Sequence, residues 1–229
     1  MVFQNIEFEK PLWFNLNDFA NVYLWGHHID RIIVLTGPKH TGKTTAGRIL
    51  AGLLEAGFVD LDACIETRTG KSPRTLYRED PGVFRAAETG ALRSLAGVPA
   101  DVSPEGSGMA DEAARLVAAA GGGIVDNEEA LAILRGPEFR MVYLAVSAET
   151  AWDRIRGESE KTGELPPFLN TADPRKTHRE LHERRAAAYR ALADLTVQGD
   201  GKSPEDIAGE IFQNLRCNGI KPCGSRLFR

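Results

Sequence analysis

The chain has 229 residues, with 28 basic against 32 acidic side chains. That is enough to bury the core of one domain with extensions, and it carries none of the positive excess that a nucleic acid or an anionic membrane demands. That charge balance points to a small-molecule partner, and Cys64, Cys217 and Cys223 are too few for a secreted disulfide framework, so a reducing cytoplasm is expected.

Residues 1–30 combine Glu7, Glu9, Lys10 and Asp18 with Trp13, Phe14, Phe19, Tyr23 and Trp25. The charges exclude a signal-peptide core and a membrane span. The aromatics predict an extension that packs on the domain or on another subunit, its role unassigned. "RIIVLTG" (31–37) reads as a buried strand, and "KTTAGRILAGLLEAG" as a helix with Ile49, Leu50, Leu53 and Leu54 on one face and a glycine stop. "FVDLD" predicts a second strand, followed by helical material from about 63 to 97. "ARLVAAAGGGIV" predicts a third strand, 127–135 a helix, "MVYLAV" a fourth strand, and a helix begins near Ala148. "DLTVQG" and "SPEDIAGEIFQNL" supply the last strand and helix. This alternation predicts an α/β fold, a parallel sheet with helices on both faces.

Two polar, loop-rich stretches break the rhythm. Residues 97–112 read as a surface insertion without assignable chemistry. Residues 157–178, "GESEKTGELPPFLNTADPRKTH", read either as a closing lid or as an ordinary connection. The tail, 215–229, holds Cys217 and Cys223 as expected free thiols, since a metal site needs about four ligands. His178 and His182, four apart on a predicted helix, are expected on a solvated face rather than as a metal pair.

The chemistry begins at "GPKHTGKTT" (37–45), which matches G-x-x-x-x-G-K-[ST] between a strand and a helix. Backbone amides around Gly37, Thr41, Gly42 and Thr45 are expected to cradle phosphates, with Lys43 reaching the β and γ groups of ATP and Thr44 offering its hydroxyl to Mg2+. "DLD" places Asp60 and Asp62 two apart at a predicted strand end, so both side chains are expected to leave one side of the strand. One can hold the metal's hydration shell and the other take a proton from an acceptor hydroxyl; a pair of solvated strand-end acids is the competing interpretation.

Taken in order, "GPKHTGKTTAGRILAGLLEAGFVDLDACIETRTGKS", "FRAAE", "GGGIV" and "ERRAAAYRALADLTV" resemble shikimate kinase over about residues 31–214. The resemblance implies the three-layer fold of P-loop kinases, with a central parallel sheet flanked by helices and a mobile lid at about 157–178. It implies transfer of the ATP γ-phosphoryl group to the 3-hydroxyl of shikimate, with Mg2+, in aromatic amino acid biosynthesis, by a monomer or homodimer. Position by position, it implies Asp60 at the magnesium shell and Asp62 as acceptor ligand and base. Arg85 with its supporting Glu88, Gly121, Gly122, Gly123 and Arg185 fall at acceptor-binding positions, and Arg154 and Pro204 at the adenine. Paired guanidiniums suit a carboxylate acceptor.

The chain departs from the family pattern in the lid, where "PPFL" puts Pro166 in place of an arginine that contacts the transferring phosphoryl group. Counting forward from Arg154 lands on Lys161, the expected substitute cation, with Arg156 and Arg175 as local alternatives. "DPGVFR" and "AAAGGG" also lack residues usual in the family. A kinase of another small hydroxy acid or polyol, and a nucleotide-binding protein without catalysis, therefore stand as alternatives.

Overall fold

The computed structural model describes residues 32–96 and 116–217. The expectations for residues 1–30, for the 97–112 insertion and for Cys223 lie outside them. Five strands form one parallel sheet: β1 (Ile32–Thr36), β2 (Gly57–Asp60), β3 (Leu116–Ala119), β4 (Phe139–Ala145) and β5 (Leu195–Gln198), in the order β2-β3-β1-β4-β5. Val34 stands opposite Ala118 of β3 and Met141 of β4, which puts the phosphate loop after β1 between the ends of both neighbours.

Eight α-helices lie among the described residues: α1 (Lys43–Leu54), α2 (Leu61–Thr69), α3 (Pro73–Glu79), α4 (Pro81–Ala96), α5 (Glu128–Leu134), α6 (Ala148–Thr162), α7 (Pro174–Leu192) and α8 (Pro204–Cys217). The period-two alternation of a strand sends successive side chains to opposite faces. Ile32 and Val34 of β1, with Met141 and Tyr143 of β4, join Leu61, Leu76, Leu92, Leu134 and Tyr189 in one apolar layer. Ile33 and Leu35, with Val142 and Leu144, join Leu50 and Leu54 of α1 and Ile207 and Ile211 of α8 in the other. The three-layer α/β architecture expected from the sequence is therefore the one observed. No helix among the described residues is long and apolar enough to cross a membrane.

Two segments differ from the sequence expectation. "FVDLD" is not a strand throughout, because β2 ends at Asp60 and α2 begins at Leu61. Asp60 caps that helix, its Oδ1 accepting from the amides of Asp62 and Ala63 at 3.0 and 3.4 Å, the N-cap role that a short carboxylate fills well. Half of the stretch 157–178 is α-helical: α6 runs on to Thr162 and α7 starts at Pro174, leaving a connection of residues 163–173 that holds a 3-10 turn at Pro167–Leu169. Glu158, Glu160 and Lys161 extend α6 without an apolar stripe to betray it. Asp173 caps α7 ahead of Pro174, whose missing N–H costs nothing in a first turn.

Candidate active site

The phosphate loop ends on Gly42, the left-handed cap of α1, and no side chain caps that helix. By contrast Asp60, Ser72, Asn127, Ser147 and Asp173 each cap the helix they precede. An uncapped N-terminus leaves backbone donors and a partial positive charge for an anion, the arrangement phosphate-binding helices use. Lys43 rests on the loop, its Nζ donating to the carbonyls of Gly37 and Pro38 at 3.0 and 2.6 Å. Burial lowers its pKa to about 8, against the pull of Asp62 and Asp60 in the opposite direction. The Thr44 hydroxyl donates to Asp60 Oδ2 at 2.7 Å. A hydroxyl and a carboxylate oxygen side by side at the loop are the hard-oxygen donor set that Mg2+ takes.

Asp62 reaches the same cleft from the first turn of α2 instead of from a strand end, so it and Asp60 share the site through a strand-to-helix junction. The cleft, of about 370 Å³, is lined by the loop, by Asp60 and Asp62, by Pro73 and Phe84, and by Ala119 to Gly123. The triple glycine explains the close fit. A Cβ on Gly122 would stand 3.1 Å from the Lys39 amide nitrogen and 3.4 Å from the Gly37 carbonyl, so this residue lets two backbones meet. A Cβ on Gly121 would stand 3.0 Å from Asp62 Oδ1 and 3.5 Å from Glu88 Oε1, so both carboxyl groups converge on that position. Packing around the solvent-reachable Asp62 raises its pKa, with the nearby Asp60 charge pushing the same way. Glu88 is 1% exposed. Its Oε2 accepts from Asn127 Nδ2 at 3.0 Å, and its Oε1 has no hydrogen-bond partner. Burial raises its pKa to about 7.

Arg185 approaches from α7, its Nη2 3.6 Å from where a Gly123 Cβ would be. Asp126, three residues past the triple glycine, accepts from Arg185 Nε and Nη2 at 3.0 and 2.6 Å and from Arg184 Nη1 at 2.9 Å. The Tyr189 hydroxyl donates to the Gly122 carbonyl from one turn further along α7. Arg85 is exposed one helical turn before Glu88 on α4, and its carbonyl accepts from Asn127. Glu88 therefore bonds Asn127 here, not the Arg85 guanidinium. Arg154 docks on the loop through Nη1 to the His40 carbonyl at 3.2 Å. Pro204 opens α8 after a loop whose Asp200 accepts from the Ser147 amide at 2.9 Å. Thr45 is exposed in the first turn of α1.

The lid cations do not join this group. Lys161 is 77% exposed in the last turn of α6, 3.7 Å from Glu158, and Arg156 faces Asp153 and Glu160 at 3.7 and 3.9 Å. Arg175 lines a groove with Trp152 and Asp173, away from the phosphate loop. None of the three lines the cleft. The connection of residues 163–173 instead meets this group of residues in two ways. Phe168 of the 3-10 turn lies 5.7 Å from the Arg185 guanidinium. Arg74 of α3 donates Nη2 to Glu164 Oε2 at 2.7 Å and to the Leu165 carbonyl at 3.0 Å. His178 and His182, expected in solvent, are 5% and 9% exposed, because α7 turns that face towards α6 and Trp152. No group of three or more metal-ligating side chains occurs among the described residues.

Sequence reasoning missed Asp126, Asn127, Arg74 and Phe168. An acid three residues after the triple glycine was a usable signal for Asp126. Arg74, whose lid partner is 90 residues away, offered none.

Most of the chain is similar to known proteins. The family model for shikimate kinase matches residues 40–216. Shikimate kinase of Marinomonas sp. (strain MWYL1) is 33% identical over 185 residues, covering 80% of this chain and 91% of that protein. The enzyme of Chromohalobacter salexigens is 35% identical over 190 residues, with the same coverage. Among solved structures, shikimate kinase from Acinetobacter baumannii in complex with shikimate superposes with a TM-score of 0.67 at 30% identity, covering 83% of this chain and 96% of that one. Shikimate kinase from Aquifex aeolicus gives a TM-score of 0.63 at 27% identity, covering 82% and 98%.

Proposed function

We propose, from the premise that this chain belongs to the shikimate kinase family, that it transfers the γ-phosphoryl group of ATP to the 3-hydroxyl of shikimate. It is an ATP-dependent small-molecule kinase. The observation that carries the acceptor reading is the triple glycine. It backs directly onto the phosphate loop and gathers Asp62 and Glu88 at Gly121 and Arg185 at Gly123. A protein that merely held nucleotide would have no use for this second set of groups.

In this reading Lys43 and the uncapped amides of α1 bind the β and γ phosphates, and Arg154 and the Pro204 loop flank the adenine. Thr44 and Asp60 would hold Mg2+, which when bound neutralises phosphate charge. Asp62 orients the acceptor hydroxyl and takes its proton, a task that its raised pKa favours. Arg185, with Arg85, grips the acceptor carboxylate as a planar fork. No cation among Lys161, Arg156 and Arg175 lines the cleft, so this reading assigns none of them a contact with the transferring group. The sparse cysteines support a cytoplasmic setting, and a monomer or homodimer is sufficient for this site.

Coupled ADP release with MgATP and a panel of shikimate, quinate, gluconate and dehydroquinate tests the assignment. Shikimate is expected to raise ADP release well above background hydrolysis. A panel member that does so while shikimate does not would replace the named acceptor, and a flat panel would favour a non-catalytic nucleotide-binding protein.

A further inference from the structure

Asp126 ends the 3-10 turn Ile124–Asp126 that follows the triple glycine, and its side chain is 16% exposed. Both donors on one edge of the Arg185 guanidinium, Nε and Nη2, converge on its Oδ2. Arg184 holds the other oxygen from the solvent side. The paired edge is one by which a guanidinium grips a carboxylate with two parallel hydrogen bonds. An orienting acid would leave that edge open for a ligand; here an internal carboxylate fills it. Phe168, against the same guanidinium, opposes its swinging away to meet a second partner. Burial alone would push the Asp126 carboxyl up, but the hydrogen bonds and charges of Arg185 and Arg184 outweigh it and hold the group below the usual carboxylate range. Asp126 is therefore an anion on one of the edges of Arg185 that an acidic acceptor would use.

We infer that Asp126 sets the affinity and selectivity of the acceptor site by competing with the acceptor carboxylate for Arg185; the inference rests on the acceptor reading above. A carboxylate acceptor must either displace Asp126 from the Nε–Nη2 edge or bind at Nη1 beside a like charge, and both routes weaken binding. An acceptor without the charge does not meet this competition.

The test compares shikimate with its methyl ester on the unsubstituted protein, on Asp126→Asn, which keeps the shape, and on Asp126→Ser, which guards against a folding defect in either variant. Kd is read by calorimetry without nucleotide and KM by ADP release. Both substitutions are expected to lower Kd and KM for shikimate about tenfold, as relief of one like-charge contact at a partly solvated site should, with the ester changing less than about twofold. A weaker Kd for shikimate would make Asp126 an orienting group for Arg185 and overturn the inference, as would an equal change for acid and ester. If the unsubstituted protein phosphorylates another acid of the panel and not shikimate, the acceptor assignment fails, while the difference between that acid and its ester still decides the role of Asp126. If no acid is phosphorylated, both fall.

Discussion

On the nucleotide side of the cleft, every expected phosphate contact comes from residues 37–45, one loop and one helical turn whose geometry is set by backbone. The proposed acceptor side is assembled from side chains on separate elements: Asp62 on α2, Arg74 on α3, Arg85 and Glu88 on α4, Asp126 after β3 and Arg185 on α7. A backbone cradle needs little beyond its local sequence, because glycine conformation and helix direction are local properties. A side-chain constellation of both charge signs depends on burial and on neighbours remote in the chain. Its protonation states and its strength are therefore products of the packing.

The contrast is broken most severely at Asp62. Asp62→Asn is expected to lower kcat by about 10³, within the range for a lost general base, while the Kd for ATP measured by calorimetry stays within about twofold. A comparable loss of ATP affinity would mean that the two sides of the cleft are not separable.

Glu88 sharpens the contrast through pH. Its folded-state pKa is raised from 4.5 to about 7 by burial. Below pH 4.5 both folded and unfolded chains are protonated there and nothing is lost. As pH rises towards 7 the unfolded chain ionises first and stability falls, the full cost being present above 7. Glu88→Gln, which can still accept from Asn127, is therefore expected to stabilise the protein at pH 8 by up to about 3 kcal/mol and to make no difference at pH 4. Thermal unfolding across this range checks it, and a gain independent of pH would point to packing instead of charge.

A smaller effect is expected where the lid meets α3. Arg74→Ala removes the bonds to Glu164 and Leu165. The ion pair is partly exposed, at 33% and 66%, so kcat/KM for the acceptor should fall between about two- and fivefold. Hydrogen exchange at residues 163–173 should rise with it. An unchanged exchange rate would show that the lid is held by Phe168 and the buried Leu169 without this pair.

The smallest effect belongs to Lys161. Exposed and paired with Glu158, it is expected to tolerate substitution by alanine with kcat changed less than about twofold, as most solvated surface changes do. A tenfold loss would require a lid closure that carries the end of α6 into the cleft.

The sheet and its helices were legible because β-branched runs and apolar periodicities report burial directly. The phosphate loop was legible because its residues are contiguous. "DLD" was legible as a pair of acids but not as a geometry: the strand-to-helix switch at Leu61 depends on Asp60 capping α2, and a short apolar-acidic alternation reads equally well as strand. The helical parts of 157–178 were read as loop because α6 ends and α7 begins in polar residues and the proline at 174 reads as a breaker unless its cap at Asp173 is noticed. His178 and His182 were placed in solvent because helical spacing gives the face they share and not what covers it.

By itself, then, the sequence determined a parallel α/β kinase fold and a phosphate-loop motif and nominated most of the proposed acceptor-site residues, since each depends on local pattern or on a resemblance carried residue by residue. Tertiary structure alone decided that Asp126 fills the edge of Arg185, that Glu88 bonds Asn127 rather than Arg85, that Arg74 crosses to the lid and that Lys161 stays outside the cleft. Those outcomes depend on distances between elements that the chain order does not encode, and electrostatic contacts weaken too steeply with distance and solvation for residue type alone to settle them.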